Sequence, residues 1–290
     1  MMNPIGISYA YWNPTWNSDP LPSVNRTQSC GFDILEINAQ RIITLNSKER
    51  DALRTAAEKA GIFFTYIGGV TPGTDLASED AATRKRGISL LEDQVRAVKS
   101  TGGSLLSGVL YSSWSQRLPR GKDRRALTDY SVEAMREAVK TAEDFGVIFC
   151  LEVVNRFEHY MMNTAEEGAV FAERINSPNC KLLLDTFHMN IEEDDLSRAI
   201  ARAGRWLGHF HVGETNRRLP GCGRIPWPEV FLALKHIEYQ GPIVLEPFIT
   251  PTGDAAGEMP VYRDLLNGCD LDEEASRSLK FVRSELGRYA

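Results

Sequence analysis

The chain has 290 residues, 42% of them hydrophobic and 25% charged, with a formal net charge of −6. That acidic balance argues against a surface built to grip phosphate backbones, and no apolar run approaches the ~20 residues of a membrane span. The length suits one large α/β barrel whose core needs neither disulfides nor structural metals.

A first strand is expected over Pro4–Ala10 and a second over Asp33–Asn38, followed by a helix over Ser47–Ala60 that opens with Glu49 and Arg50. A third strand, Ile62–Ile67, precedes the helical pattern Asp80–Ser100. The fourth, Ser104–Leu110, leads into Asp129–Phe145. The fifth, Val147–Val154, leads into Thr164–Ile175, whose first turn holds Glu166 and Glu167. Strands at Lys181–Asp185, Trp206–Val212 and Pro242–Glu246 alternate with helices at Asp194–Ala203 and Pro228–Tyr239, and Asp272–Leu286 closes the pattern. Gly31, Gly61, Gly146 and Gly241 mark helix-to-strand passages.

Eight such units predict an α/β fold, a closed (β/α)8 TIM barrel, with 1–290 forming a single catalytic domain. An open doubly wound sheet would place a Gly-x-Gly-x-x-Gly turn after the first strand, and the stretch Tyr9–Asp19 contains no glycine. The first ten residues lack the pattern of a secretory leader, so a cytoplasmic protein is expected. Five widely spaced cysteines, Cys30, Cys150, Cys180, Cys222 and Cys269, read as free thiols.

Barrel active sites lie at the C-terminal ends of the strands. Four successive strands end in metal-ligand residue types: Glu152, Asp185, His211 and Glu246, three of them carboxylates after three apolar residues. Any one acid alone reads as a buried salt bridge. Four on consecutive strand ends read as a cation site, because lone buried charges are costly. Three carboxylates and an imidazole suit Mn2+, Mg2+ or Co2+. His209 lies one step deeper than His211 on the same face, as a barrel-interior residue or a partner behind the ligands. Glu36 reads either as orienting a ligand or as part of a buried ion pair. His159 and His236 read as structural or surface residues, and the run Glu192–Asp195 as a solvated helix start.

The segments Leu151-Glu-Val-Val-Asn-Arg-Phe-Glu158, Leu184-Asp-Thr-Phe-His-Met-Asn-Ile-Glu-Glu193, Gly208-His-Phe-His-Val-Gly-Glu-Thr-Asn-Arg217 and Leu245-Glu-Pro-Phe248 closely resemble the D-tagatose 3-epimerase and D-psicose (allulose) 3-epimerase family. The resemblance covers nearly the whole chain and is strongest from Leu151 onward. It implies that Glu152, Asp185, His211 and Glu246 hold a divalent metal, Mn2+ first and Co2+ or Mg2+ next. Glu152 and Glu246 would also exchange protons at C3 of a free ketose through a metal-stabilised cis-enediolate. Glu158, His188 and Arg217 would hold the substrate near O1 and O2, Trp114 and Phe248 would wall the pocket, and Trp16 would belong to its covering loop. A homodimer or homotetramer is implied as well, with no nucleic-acid or membrane partner.

The chain departs from that family at two positions. Ser8 stands where an aromatic residue is common, and Tyr66 where a small one is. The expectation is that an aromatic pocket wall has moved from strand 1 to strand 3, with Ser8 and Tyr66 both lining the pocket. Alternatives on the same barrel are an aldose–ketose isomerase or a sugar-phosphate epimerase, for which Arg217, Arg218 and Arg224 would supply charge. A metal-dependent phosphodiesterase or endonuclease would want more than the five histidines present and a basic face. A non-catalytic sugar-binding protein would have no need of two metal-bound glutamates.

Overall fold

The structure, a computed structural model, describes residues 3–289. Eight parallel strands pair in chain order and close on themselves: β1 (Ile5–Ser8), β2 (Ile34–Asn38), β3 (Phe63–Ile67), β4 (Leu105–Gly108), β5 (Ile148–Val153), β6 (Cys180–Asp185), β7 (Leu207–Val212) and β8 (Ile243–Leu245). Helix α1 (Leu21–Cys30) follows β1, and α2 (Ala39–Thr44) and α3 (Ser47–Ala60) follow β2. Next come α4 (Ala81–Ser100), α5 (Arg124–Phe145) and α6 (Ala165–Ile175) after β3, β4 and β5. Helices α7 (Thr186–Glu192) and α8 (Leu196–Ala203) follow β6, and α9 (Trp227–His236) follows β7. Last are α10 (Gly253–Glu258) and α11 (Leu271–Gly287).

The main core lies between strands and helices, where outward residues such as Ile7, Leu35, Ile37, Leu106, Phe149, Leu184 and Phe210 meet the helix layer. Inside the barrel the apolar filling is small: Leu105, Cys150 and Leu183 form a separate cluster. Above that plug the interior turns polar, which is where a site can form.

The expected elements are present, with local differences that have simple causes. Strand β1 stops at Ser8 because Tyr9–Tyr11 turn into a 3-10 segment. Strand β8 stops before Glu246, whose successor Pro247 has no N–H to extend a ladder. Helix α3 is capped by Asn46, whose side chain and that of Glu49 satisfy each other's backbone N–H, so Ser47 is already inside the helix. Gly31, Gly61 and Gly146 close their helices with φ of +88°, +67° and +62°. At the end of α9 it is Glu238 that takes the positive φ, not Gly241.

Helix α1 has no counterpart among the expected elements. Its buried face is Ser23, Val24, Thr27 and Cys30, so small and polar residues carry the period that apolar residues would have advertised. Helix α7 was hidden for a different reason. It starts on the ligand-type residue Asp185, whose side chain caps it by accepting from Phe187 N. The run Glu192–Asp195 is only partly a helix start. Asp195 caps α8, but Glu192 ends α7 with its side chain buried against Arg156, and Glu193 accepts from Ala165 N.

Candidate active site

Strand parity decides which residues enter the barrel. Ser8, Glu36 and Thr65 stand level in the register of β1, β2 and β3, and Asp185 stands level with His211 across β6 and β7. The β6–β7 register shifts between Leu182 and Leu183, so that Leu182 faces Leu207 while Leu183 faces His209. The extra residue is Gly208, where a Cβ would stand 2.6 Å from Lys181 Cβ and 2.8 Å from Cys150 Sγ. Such a bulge re-aims the strand beyond it; here both His209 and His211 point inward.

Glu152, Asp185, His211 and Glu246 converge, with one ligand atom from each lying within 4.8 Å of the others. They reach that point from different heights: Glu152 is level with Leu183, one inward step below Asp185, and Glu246 follows the end of β8. All four are buried. Arg217 closes the ring from above, with Nη1 2.9 Å from Asp185 Oδ2 and 3.2 Å from Glu246 Oε2. Its guanidinium lies 3.9 Å from the Phe187 ring centroid. Arg217 holds a left-handed φ of +61°, strain of the kind that persists at functional positions. Glu214 organises the loop beneath it, accepting from Gly221 N, Ile225 N and Trp227 Nε1.

Behind the ring, Glu36 Oε1 lies 2.7 Å from His209 Nε2 and accepts from Thr65 Oγ1 at 3.1 Å, while Oε2 lies 2.9 Å from His211 Nε2. With Nε2 turned to that carboxylate, His211 Nδ1 faces the ring, buried and without a hydrogen-bond partner. This orphaned nitrogen, beside three convergent carboxylates, fits a divalent cation.

The electrostatics agree with that fit. Burial opposes charge on His211, but Glu36 and Glu246 outweigh it and hold its pKa well above the ordinary value. Burial, together with the charge of Glu246, raises the Glu152 pKa, against the bond from His188. Burial pushes Glu246 the same way, but His211 and Arg217 prevail and lower it.

His188 Nε2 lies 3.4 Å from Glu152 Oε1. Asn155 Nδ2 sets the ring, 2.7 Å from His188 Nδ1 and 3.0 Å from Glu158 Oε1. Glu158 Oε2 accepts from Trp114 Nε1 at 3.0 Å. Glu152, Glu158 and His188 line one side of a cavity of about 390 Å³, with Trp16, Trp114 and Phe248 among its walls. Trp16 packs edge-on against Phe248 and donates from Nε1 to Glu258 Oε2 at 2.7 Å, so the loops after β1 and β8 meet over the cavity.

Ser8 and Tyr66 correct the sequence reading. Ser8 does face the interior, but at the level of Glu36, beneath the cavity and outside its lining. Tyr66 alternates with Thr65 and Ile67 and faces the helices: its hydroxyl lies 2.6 Å from Thr101 Oγ1, and Gly103 leaves room for its ring. One step of parity separates the two faces of a strand, so no aromatic wall has moved from strand 1 to strand 3. His159 is buried, with burial pulling its pKa down to about 4.

Asn155 and Glu214 escaped the sequence reading. Glu214 had a usable signal, an acid just past the apolar strand that carries His211, although Gly213 interrupts the run. Asn155 had none, because a neutral amide in a turn looks like a turn residue.

Residues 24–283 match the family described as xylose isomerase-like TIM barrel. The chain is 42% identical to D-psicose 3-epimerase of Ruminiclostridium cellulolyticum, covering 96% of each chain. It is 39% identical to D-psicose 3-epimerase of Agrobacterium fabrum, covering 97% of this chain and 99% of that one. A crystal structure of D-psicose 3-epimerase with D-tagatose from Clostridium cellulolyticum H10 superposes with a TM-score of 0.95 at 41% identity, over 98% of this chain and 99% of that one.

Proposed function

The chain belongs to the xylose isomerase-like TIM-barrel family and, within it, to the ketose 3-epimerases, and from that premise we propose that it reversibly inverts C3 of free ketohexoses of the D-tagatose/D-sorbose and D-fructose/D-psicose type. The observation that carries this reading is the pair of buried carboxylates, Glu152 from β5 and Glu246 after β8, which converge on one cavity from different sides of the barrel.

Inversion needs a proton removed from one face of C3 and another delivered to the opposite face. Glu152 and Glu246 are the two groups placed for this, one taking the proton as base while the other, protonated, returns one as acid. Their roles exchange with the direction of reaction. His188 and Arg217 place donors where negative charge grows on O2, and Glu158 accepts from a hydroxyl at the O1 end. Glu152, Asp185, His211 and Glu246 would hold a divalent cation, Mn2+ in this proposal, which when bound would supply Lewis-acid polarisation of the carbonyl. Trp16, Trp114 and Phe248 pack on the sugar's C–H faces and exclude water.

A sugar-phosphate substrate finds less support. Arg218 and Arg224 lie outside the cavity lining, and Arg217 is already engaged with Asp185 and Glu246. Free cysteines accord with a reducing, cytoplasmic setting, and no described helix is long and apolar enough to cross a membrane. The family resemblance favours a dimer or tetramer, which sedimentation would read directly.

The test is epimerisation in heavy water. Metal-loaded protein should place solvent deuterium at C3 of the product, and a chelator should abolish turnover that Mn2+ or Co2+ restores. Product free of deuterium at C3, or full activity in a rigorously metal-free preparation, would sink the proposal.

A further inference from the structure

The proposed chemistry leaves the far end of the cavity without a task. The closed order of strands sets β2 and β3 across the mouth from β6 and β7. A ketose held near O1 and O2 by Arg217 and His188 therefore extends its remaining carbons toward the tips of β2 and β3. There the lining changes from charged groups to Asn38, Gln40 and the backbone of Gly68 and Gly69.

The Gly69 carbonyl oxygen accepts from two amides, Gln94 Nε2 at 2.7 Å and Gln40 Nε2 at 3.2 Å. With both lone pairs engaged, that carbonyl is an anchor for the two glutamines and not a contact for a ligand. Gln94 reaches it from α4, fully buried, and its own Oε1 has no hydrogen-bond partner. A buried amide oxygen left unpaired is destabilising, and the bond from its nitrogen to Gly69 is what the side chain contributes here. No side chain could replace this arrangement from the strand. A Cβ on Gly68 would stand 2.1 Å from Gln94 Oε1, and one on Gly108 would stand 2.4 Å from the Gly68 carbonyl oxygen. Gln40 is fixed at its backbone too, donating its N–H to Asn38 Oδ1 at 2.8 Å. Pinned at both places, it keeps a carbonyl oxygen and a second amide hydrogen for the cavity.

We propose that Gln40, anchored through the Gly69 carbonyl to Gln94, is a specificity-determining residue that hydrogen-bonds the terminal hydroxymethyl group of a ketohexose. The inference rests on the ketose 3-epimerase reading and deepens it. A site arranged to pair with a hydroxyl rejects the analogue lacking it, because its own polar group is then left unsatisfied. A neutral amide suits a hydroxyl rather than a phosphate or carboxylate, and among the described residues Arg217 is the only arginine or lysine lining the cavity, at the other end. The enzyme thus selects six-carbon ketoses over five-carbon and 6-deoxy ones.

The experiment compares Mn2+-loaded wild type and Gln40→Met on D-psicose, its 6-deoxy counterpart and D-ribulose. Methionine keeps the length of the side chain and removes its hydrogen bonds. The wild type should favour D-psicose. In the variant, kcat/KM for D-psicose should fall about 3- to 10-fold, mainly through KM, with the other two sugars changing less than about twofold. Gln40→Leu should give the same pattern, which guards against a methionine that fills the cavity by itself. Equal losses on all three sugars, no change on any, or a wild type indifferent to the hydroxymethyl group overturns the inference while the ketose reading stands. A wild type that epimerises none of the three takes down that reading, and this inference with it.

Discussion

At the β5–β8 end of the cavity, Arg217 alone contacts Asp185 and Glu246, and His188 is held between Asn155 and Glu152. At the β2–β3 end, Gln40 makes two bonds, one through its backbone, and Trp16 in the covering loop is tied to Glu258 and Asp254 by exposed bonds. The first end is charged, buried and cross-braced; the second is neutral and held at few points. Buried charges tolerate no loss of a partner, whereas neutral hydrogen bonds are individually weak. Substitutions at the first end should therefore stop the reaction, and substitutions at the second should change which sugar enters it.

Five substitutions can break or sharpen that contrast. The largest effect is expected at Glu246→Gln or Glu152→Gln, where kcat should fall about 10²- to 10⁴-fold on every ketose tried. Cation content must be measured alongside, since both residues belong to the ligand set. A variant that kept its rate but changed its sugar preference would erase the distinction between the two ends.

Glu36→Gln probes the bracing behind the ring. An amide nitrogen facing His211 Nε2 can only donate, which drives the imidazole proton to Nδ1, the atom turned toward the proposed cation site. Cation affinity by titration calorimetry should drop roughly 10- to 100-fold. Unchanged affinity would show that Glu36 merely fills the barrel.

Trp16→Phe removes the bond to Glu258 and keeps a ring against Phe248. KM should rise by about 3-fold with kcat nearly constant, as expected of one exposed neutral-to-charged hydrogen bond. A collapse of kcat would move Trp16 into the chemistry. The smallest effect on activity belongs to Tyr66→Phe. It should cost about 1 kcal/mol of stability in denaturant unfolding through loss of the Thr101 partner, and leave sugar preference unchanged. A shifted preference would reinstate Tyr66 as a pocket residue.

The proposed cation ligands were legible because an ionised acid after three apolar strand residues is costly in isolation, and three of four consecutive strands carried that signal, the fourth ending in His211. Gln40 and Gln94 gave no such signal. An amide near a helix start and another inside a long helix are ordinary surface residues until the Gly69 carbonyl is seen between them. Tyr66 was misread because a five-residue strand, β3, leaves little room to fix parity, and one step exchanges interior for helix layer.

By itself, then, the sequence determined the alternation of strand and helix, the eightfold repeat that a closed barrel requires and the four strand-end candidates for a cation site. Each of these follows from local patterns, period and burial cost, that neighbouring residues impose on one another. Only the tertiary structure decided that Glu36 turns His211 Nδ1 toward the ring, that Arg217 bridges two carboxylates, and that Gln94 reaches from α4 to hold Gly69. Those contacts join residues 25 to 175 positions apart, and their geometry depends on strand register and on packing between distant elements, which no local pattern encodes.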